Sequence, residues 1–213
     1  MTVGLMIEPE LATRVMLRPV ASPLPLGFLA LALATVPFTA VQLGWVAPTE
    51  GRDAAIGAIA ATVPLQLLAS VFGFLARDVV AATGMGVLAG TWATVGLTTA
   101  TSPPGAASPG LGVFLVTAGV CMLVPAASAG AKLVPATVMT LAGVRFAVTG
   151  GYHLTGSAGW KSAAGWVGLL LGIVAVYAAL ALALESTQGR TVLPLGRRAP
   201  AESAGEPGVR PQL

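Results

Sequence analysis

The chain has 213 residues, 55% of them hydrophobic and only 9% charged. A soluble domain carries about 25% charged residues, so this chain lacks the polar surface to cover a globule in water, and the bilayer is its natural solvent. The net charge of +3 is carried by basic residues scattered along the chain, adjacent only at Arg197 and Arg198, and nothing in this pattern makes the basic patch or helix face that nucleic-acid binding uses.

Residues 1–21 read as a cytoplasmic leader. Glu8 and Glu10 come early and no basic segment precedes an apolar core, so a signal peptide is not expected. Leu5, Ile7, Leu11, Val15 and Met16 fit a short amphipathic surface helix, and a disordered leader fits equally well. The stretch "SPLPLG" (22–27) follows at the edge of a long apolar run. Proline is tolerated in the first turn of a helix, where its missing N–H would be unpaired anyway. Pro23 and Pro25 therefore start a helix rather than break one. The N–H groups of Leu26, Gly27 and Phe28 would then point out of a helix end with partial positive charge, an arrangement that suits an anion. A plain helix start at the membrane surface is the alternative.

A helix needs about 20 apolar residues to cross the hydrocarbon. Six segments qualify, at roughly 26–47, 54–76, 79–100, 110–131, 133–151 and 163–184. The connectors are "PTEGRD" (48–53), "RD" (77–78), the Pro/Gly/Ser stretch 101–110, Lys132 and "SAGWK" (157–161). Residues 22–196 thus form one all-α, six-helix transmembrane domain, and 197–213 read as a disordered cytoplasmic tail. Arg14, Arg18, Arg77, Lys132, Arg190, Arg197, Arg198 and Arg210 fall on one side, Arg52 and Lys161 on the other. Basic residues favour the cytoplasm, which puts both termini there. Gly86-x-x-x-Gly90 and Gly168-x-x-x-Gly172 have the spacing that lets membrane helices approach closely, within or between subunits.

Chemistry-bearing residues are few. With one histidine, no multi-histidine metal site and no H-E-x-x-H pair can form. No carboxylate falls inside a predicted span, so intramembrane acid–base catalysis has no candidate. "GSAG" (156–159) lacks the G-x-S-x-G spacing and the strand context of a nucleophile turn. No catalytic residue, metal or cofactor is expected, and the chain does not read as an enzyme. Cys121 reads as a small buried hydrophobe, and His153 as an interfacial histidine, with proton coupling as the alternative. Arg145 is the one charge inside a predicted span. Intramembrane charge is a functional-site hypothesis by default. It either meets a small anion or snorkels to the interface from about two turns away.

These residues resemble a known family. "SPLPLGF" is similar to the N-P-A-P-L-G-L signature that opens the first helix of the acetate uptake transporter family, which includes bacterial succinate–acetate and fungal acetate permeases. The run 164–196 resembles the family's last helix and its G-R-T-V-L-P-[IL]-G ending; Tyr177 and Gly189–Gly196 fit it. Gln66, Ala69, Thr83 and Trp92 fall in register with the second and third helices. The resemblance covers roughly residues 20–196. It implies six spans per subunit, a homohexameric ring in the plasma membrane, and a pathway within each subunit for acetate and related small monocarboxylates, in some members succinate. Transport would be proton-coupled symport or channel-like permeation.

Carried over residue by residue, the opening motif places Ser22, Pro23, Pro25, Leu26 and Gly27 at the substrate pathway. The family's hydrophobic constriction of Phe, Tyr and Leu falls on Leu31, Leu88 and Leu141. This chain departs from the pattern in having leucine at all three, Ser22 for asparagine, and Leu182 where the family has a carboxylate. Leu141 and Arg145 are four apart and share a helix face, so Arg145 is expected to attract the carboxylate of the permeant. A neck of leucines alone would favour the neutral acid, with uptake rising as pH falls. The alternatives are another small solute on the same scaffold, or a membrane sensor or scaffold that transports nothing.

Overall fold

The computed structural model describes residues 20–130 and 132–196. The leader helix sketched over residues 5–16, the arginines at 14, 18, 197, 198 and 210, and the tail 197–213 lie outside the described residues.

Six helical segments are long and apolar enough to cross a membrane: α1 (Leu24–Leu43), α2 (Pro48–Leu75), α3 (Val80–Thr101), α4 (Pro109–Ser128), α5 (Leu133–Thr155) and α6 (Ala158–Gln188). The chain is an all-α, multi-pass membrane protein. An even number of crossings brings the start of α1 and the end of α6 to one side.

Local chemistry sets the boundaries. α1 ends at Gly44, which takes a left-handed conformation (φ 74°) and lets its own N–H and that of Trp45 return to the carbonyls of Val41 and Ala40. The first span therefore stops four residues before the expected position. Glu50, Arg52 and Asp53, expected in a connector, belong to the first turns of α2. Pro48 starts that helix with its missing donor at the end, where it costs nothing. α2 passes through a π-helical turn at Ala58–Thr62, just before Pro64. A proline ring clashes with the carbonyl four residues back, and a widened turn relieves that contact. The α2–α3 turn is tight. Arg77 has φ 55°, and the carboxylate of Asp78 accepts from the Ala81 N–H at 3.0 Å. α4 is interrupted at Met122, close to Pro125.

The sixth span begins at Ala158 rather than near 163, and the fifth runs to Thr155 rather than 151. Tyr152 and His153 are thus helical. Their side chains hold the 102–108 loop: Tyr152 donates its hydroxyl to the Gly105 carbonyl at 3.0 Å, and His153 Nδ1 accepts from the Ser108 N–H at 3.2 Å. His153 is accordingly half-buried against protein rather than freely solvated.

The bundle turns many large apolar side chains outward, toward lipid, while burying others such as Phe28, Leu31 and Phe38. α1 turns Leu29, Leu33 and Val36 outward and buries Ala30, Ala34, Thr35 and Thr39. Lipid is as apolar as leucine, so burial of large apolar side chains does not drive association; close packing of small residues does. α1 packs most extensively on α6, α4 on α5 and α2 on α3, and α5 also packs on α6. Between α4 and α5 the contacts are reciprocal. A Cβ on Gly119 would lie 2.8 Å from the Gly143 carbonyl, and one on Gly143 would lie 2.9 Å from that of Gly119. Gly112 and Gly150 repeat the pattern two turns away. Of the spacings read from sequence, Gly168 and Gly172 do face α1, but Gly90 meets nothing within 4 Å. Cys121 is exposed on the outer surface, not buried as expected, because α4 turns that face away from the bundle.

Candidate functional site

The opening motif forms the start of α1. Pro23 and Pro25 sit at the N-cap and in the first turn. Pro23 and Leu24 are buried, and Ser22, Pro25 and Leu26 are half-buried. The expected anion cradle is smaller than the sequence suggested, because the Gly27 N–H already donates to the Pro23 carbonyl at 3.1 Å. A Cβ on Gly27 would run into the thioether of Met85 in α3. The glycine therefore lets α3 pack against the first turn of α1. Of the three leucines, Leu31 and Leu88 are wholly buried in the core, and Leu141 packs against it while partly exposed.

One layer further along the bundle is an arrangement the sequence reading missed. Phe38 of α1, Trp92 of α3 and Phe146 of α5 form a ring stack. Phe38 and Trp92 have centroids 5.6 Å apart, and Trp92 and Phe146 meet nearly edge-on at 5.9 Å. The stack borders a cavity of about 20 Å³ whose wall also includes Gln42, Val95, Leu115, Arg145 and Thr149. That volume admits a water molecule and nothing larger.

Arg145 is 2% exposed. It does not snorkel: it sits ten residues from the end of α5 and turns inward. Its Nη1 donates to the carbonyl of Ala164 in α6. The guanidinium occupies a notch that exists because position 168 is glycine; a Cβ there would overlap both Arg145 Nη1 and Thr39 Oγ1. Thr35, Thr39 and Gln42 form a polar stripe at i, i+4 and i+7 along α1. Thr35 Oγ1, Thr39 Oγ1, Gln42 Oε1 and Trp92 Nε1 are buried with no hydrogen-bond partner among the described residues. A buried polar atom is ordinarily paired, so this concentration marks the polar centre of the bundle. Among the described residues no three His, Cys, Asp or Glu side chains gather as a metal site requires.

No family model matches the sequence, and no curated protein does. A solved structure does: that of the bacterial acetate channel SatP, with a TM-score of 0.71, 28% identity, and coverage of 83% of this chain and 99% of that one. The chain is similar to that channel in fold and in sequence, which is consistent with a divergent member of the acetate uptake transporter family.

The family's two end motifs acquire structural reasons here. The G-R-T-V-L-P-L-G run leaves α6 at Gly189 (φ 63°) and folds back under the bundle. Tyr177 donates its hydroxyl to the Pro194 carbonyl at 2.8 Å, Thr191 donates to Glu185 Oε1 at 2.8 Å, and Leu195 is buried. The Leu195 carbonyl accepts from the Val134 N–H at 3.4 Å, and Gly196 (φ 60°) packs on Leu133. Gln66 and Ala69, in register with the family's second helix, are wholly buried. The signal for the polar stripe was present in the sequence: three polar residues at helical spacing in an otherwise apolar span. The ring stack had no such signal, since Phe38, Trp92 and Phe146 come from three separate helices.

Proposed function

We propose that this protein passes acetate or a similar small monocarboxylate across the plasma membrane through a pathway inside each subunit of a homohexamer, with both chain termini cytoplasmic. The observation that carries the reading is the match to an acetate channel over nearly the whole of that chain. The polar centre supports it. A six-helix bundle gains nothing in stability from leaving a guanidinium, two threonine hydroxyls and an indole N–H short of partners in a low-dielectric interior. A polar permeant gives those groups a purpose. Ser22 to Gly27 open the pathway, and Leu31, Leu88 and Leu141 narrow it. The chemistry is permeation rather than catalysis.

The test is radiolabelled acetate uptake by the purified protein in liposomes, with and without an imposed pH gradient. Uptake in both conditions supports channel-like permeation, and uptake only with the gradient supports symport. Failure to take up acetate, with no competition by propionate or formate, would refute the reading. A second reading, a scaffold that transports nothing, is favoured by one observation: Leu31 and Leu88 are fully buried, so the neck is packed shut. The same assay separates the two.

A further inference from the structure

Arg145 is a buried cation in mid-span, and the one described carboxylate that is also buried, Glu185, stands near the end of α6, where it accepts from Thr191. The described carboxylates of Glu50, Asp53, Asp78 and Glu185 all stand at helix ends or in turns, whereas Arg145 lies in mid-span. Its hydrogen bond goes to a backbone carbonyl, which carries only a partial charge. A lone charge in the bilayer interior needs a counter-ion or water. Trp92, whose Nε1 has no hydrogen-bond partner among the described residues, lines the same cavity as Arg145, and the unpartnered Thr39 Oγ1 shares the Gly168 notch with it. A guanidinium, an indole N–H and a hydroxyl are all donors, and a carboxylate is an acceptor with two oxygens and about four lone-pair sites.

We propose that Arg145, Trp92 and Thr39 form an internal anion site that holds the single ionised carboxylate of a short-chain monocarboxylic acid and rejects dicarboxylates. This rests on the transport reading above and names the form of the permeant. The rest of the wall is Phe38, Val95, Leu115 and Phe146 with the neutral polar side chains of Gln42 and Thr149, which suits a short tail and supplies no second cation. A second carboxylate would meet only apolar and neutral polar side chains there, with no second cation, and a charge buried without a counter-ion is strongly disfavoured. The cavity is too small for a carboxylate until the ring stack parts, so the rings gate the same site that the arginine charges. Because the site supplies its own positive charge, the ionised acid is the form that binds, not the neutral acid that a neck of leucines alone would favour.

The experiment measures acetate affinity by isothermal titration of the full-length protein in detergent micelles. It compares wild type with Arg145→Gln, Arg145→Lys and Gly168→Ala, and is repeated with succinate and propionate. Arg145→Gln should weaken acetate binding at least about tenfold, with Arg145→Lys in between. Gly168→Ala keeps the charge but displaces the guanidinium, and should weaken binding severalfold; it tests the site even if Arg145→Gln fails to fold. Succinate should bind at least about tenfold more weakly than propionate. Affinity in total acetate should be nearly equal at about pH 6 and about pH 8, because both lie above the acid's pKa; binding of the neutral form would instead fall about a hundredfold. Wild-type affinity in folded Arg145→Gln, unaltered binding by Gly168→Ala, equal affinity for succinate, or that pH-dependent fall would each overturn the site. Liposome uptake run in parallel keeps the two claims apart. Binding without uptake refutes transport alone, and uptake with an unaltered KM in Arg145→Gln refutes the site alone.

Discussion

Replacing Gly119 with alanine puts a methyl group where α4 and α5 nearly touch. The new Cβ would stand 2.8 Å from the Gly143 carbonyl oxygen and 3.2 Å from the Ala147 nitrogen. Carbon and oxygen ordinarily meet at about 3.3–3.6 Å, so the helices must separate by roughly half an ångström. The obstacle is backbone, which cannot rotate aside as a side chain can. The cost should therefore fall near the top of the usual overpacking range, about 3 kcal/mol. Alanine recovers about 1 kcal/mol of helix propensity over glycine, leaving a net loss of about 2 kcal/mol. The measurement is reversible SDS unfolding in mixed micelles, followed by tryptophan fluorescence. Gly90→Ala is the control, since its Cβ meets nothing; it should be neutral or slightly stabilising. Gly143→Ala should cost as much as Gly119→Ala, and the double variant less than their sum, because one separation relieves both contacts. If Gly119→Ala is as harmless as Gly90→Ala, the two helices do not approach as closely as described and the argument fails.

The α2–α3 turn offers a second test. Arg77 holds a left-handed conformation (φ 55°), so Arg77→Gly should be neutral to stabilising and Arg77→Val should cost about 1–2 kcal/mol in the same unfolding assay. Asp78→Ala removes the cap on Ala81 and should cost about 1 kcal/mol; no change would mean that cap is idle. Tyr177→Phe deletes the bond to Pro194. It should cost about 1 kcal/mol and speed amide exchange across residues 191–196, whereas unchanged exchange would show that the motif is held without the Tyr177 bond.

Much of the fold could be read from residue types alone, because a bilayer imposes a simple rule: satisfy the backbone inside the span and keep charge out of it. That rule located six helices and the proline start of α1. It erred at Glu50, Arg52 and Asp53, because a helix can begin outside the hydrocarbon and bring charged residues into its first turns. It also erred at Thr155, because tyrosine and histidine end a hydrophobic pattern without ending a helix. The site divides the same way. Arg145 stood out as a lone charge, but its inward turn depends on Gly168, and only the fold brings those two positions together. Gly112, Gly119, Gly143 and Gly150 have no short-range spacing motif. Their pairing is set by the antiparallel register of α4 and α5, in which 112 meets 150 and 119 meets 143.

The returning C-terminal run has a mechanical consequence. α5 and α6 are joined by the short Gly156–Ser157 turn at one end, and at the other the chain comes back through Pro194 and Leu195 to bond the start of α5. The pair is thus a frame pinned at both ends, and it carries Arg145, Phe146, Ala164 and Gly168 together. A frame braced in this way resists shear between its two struts. The parting of the rings falls to Phe38 and Trp92, on α1 and α3, which lie outside the frame.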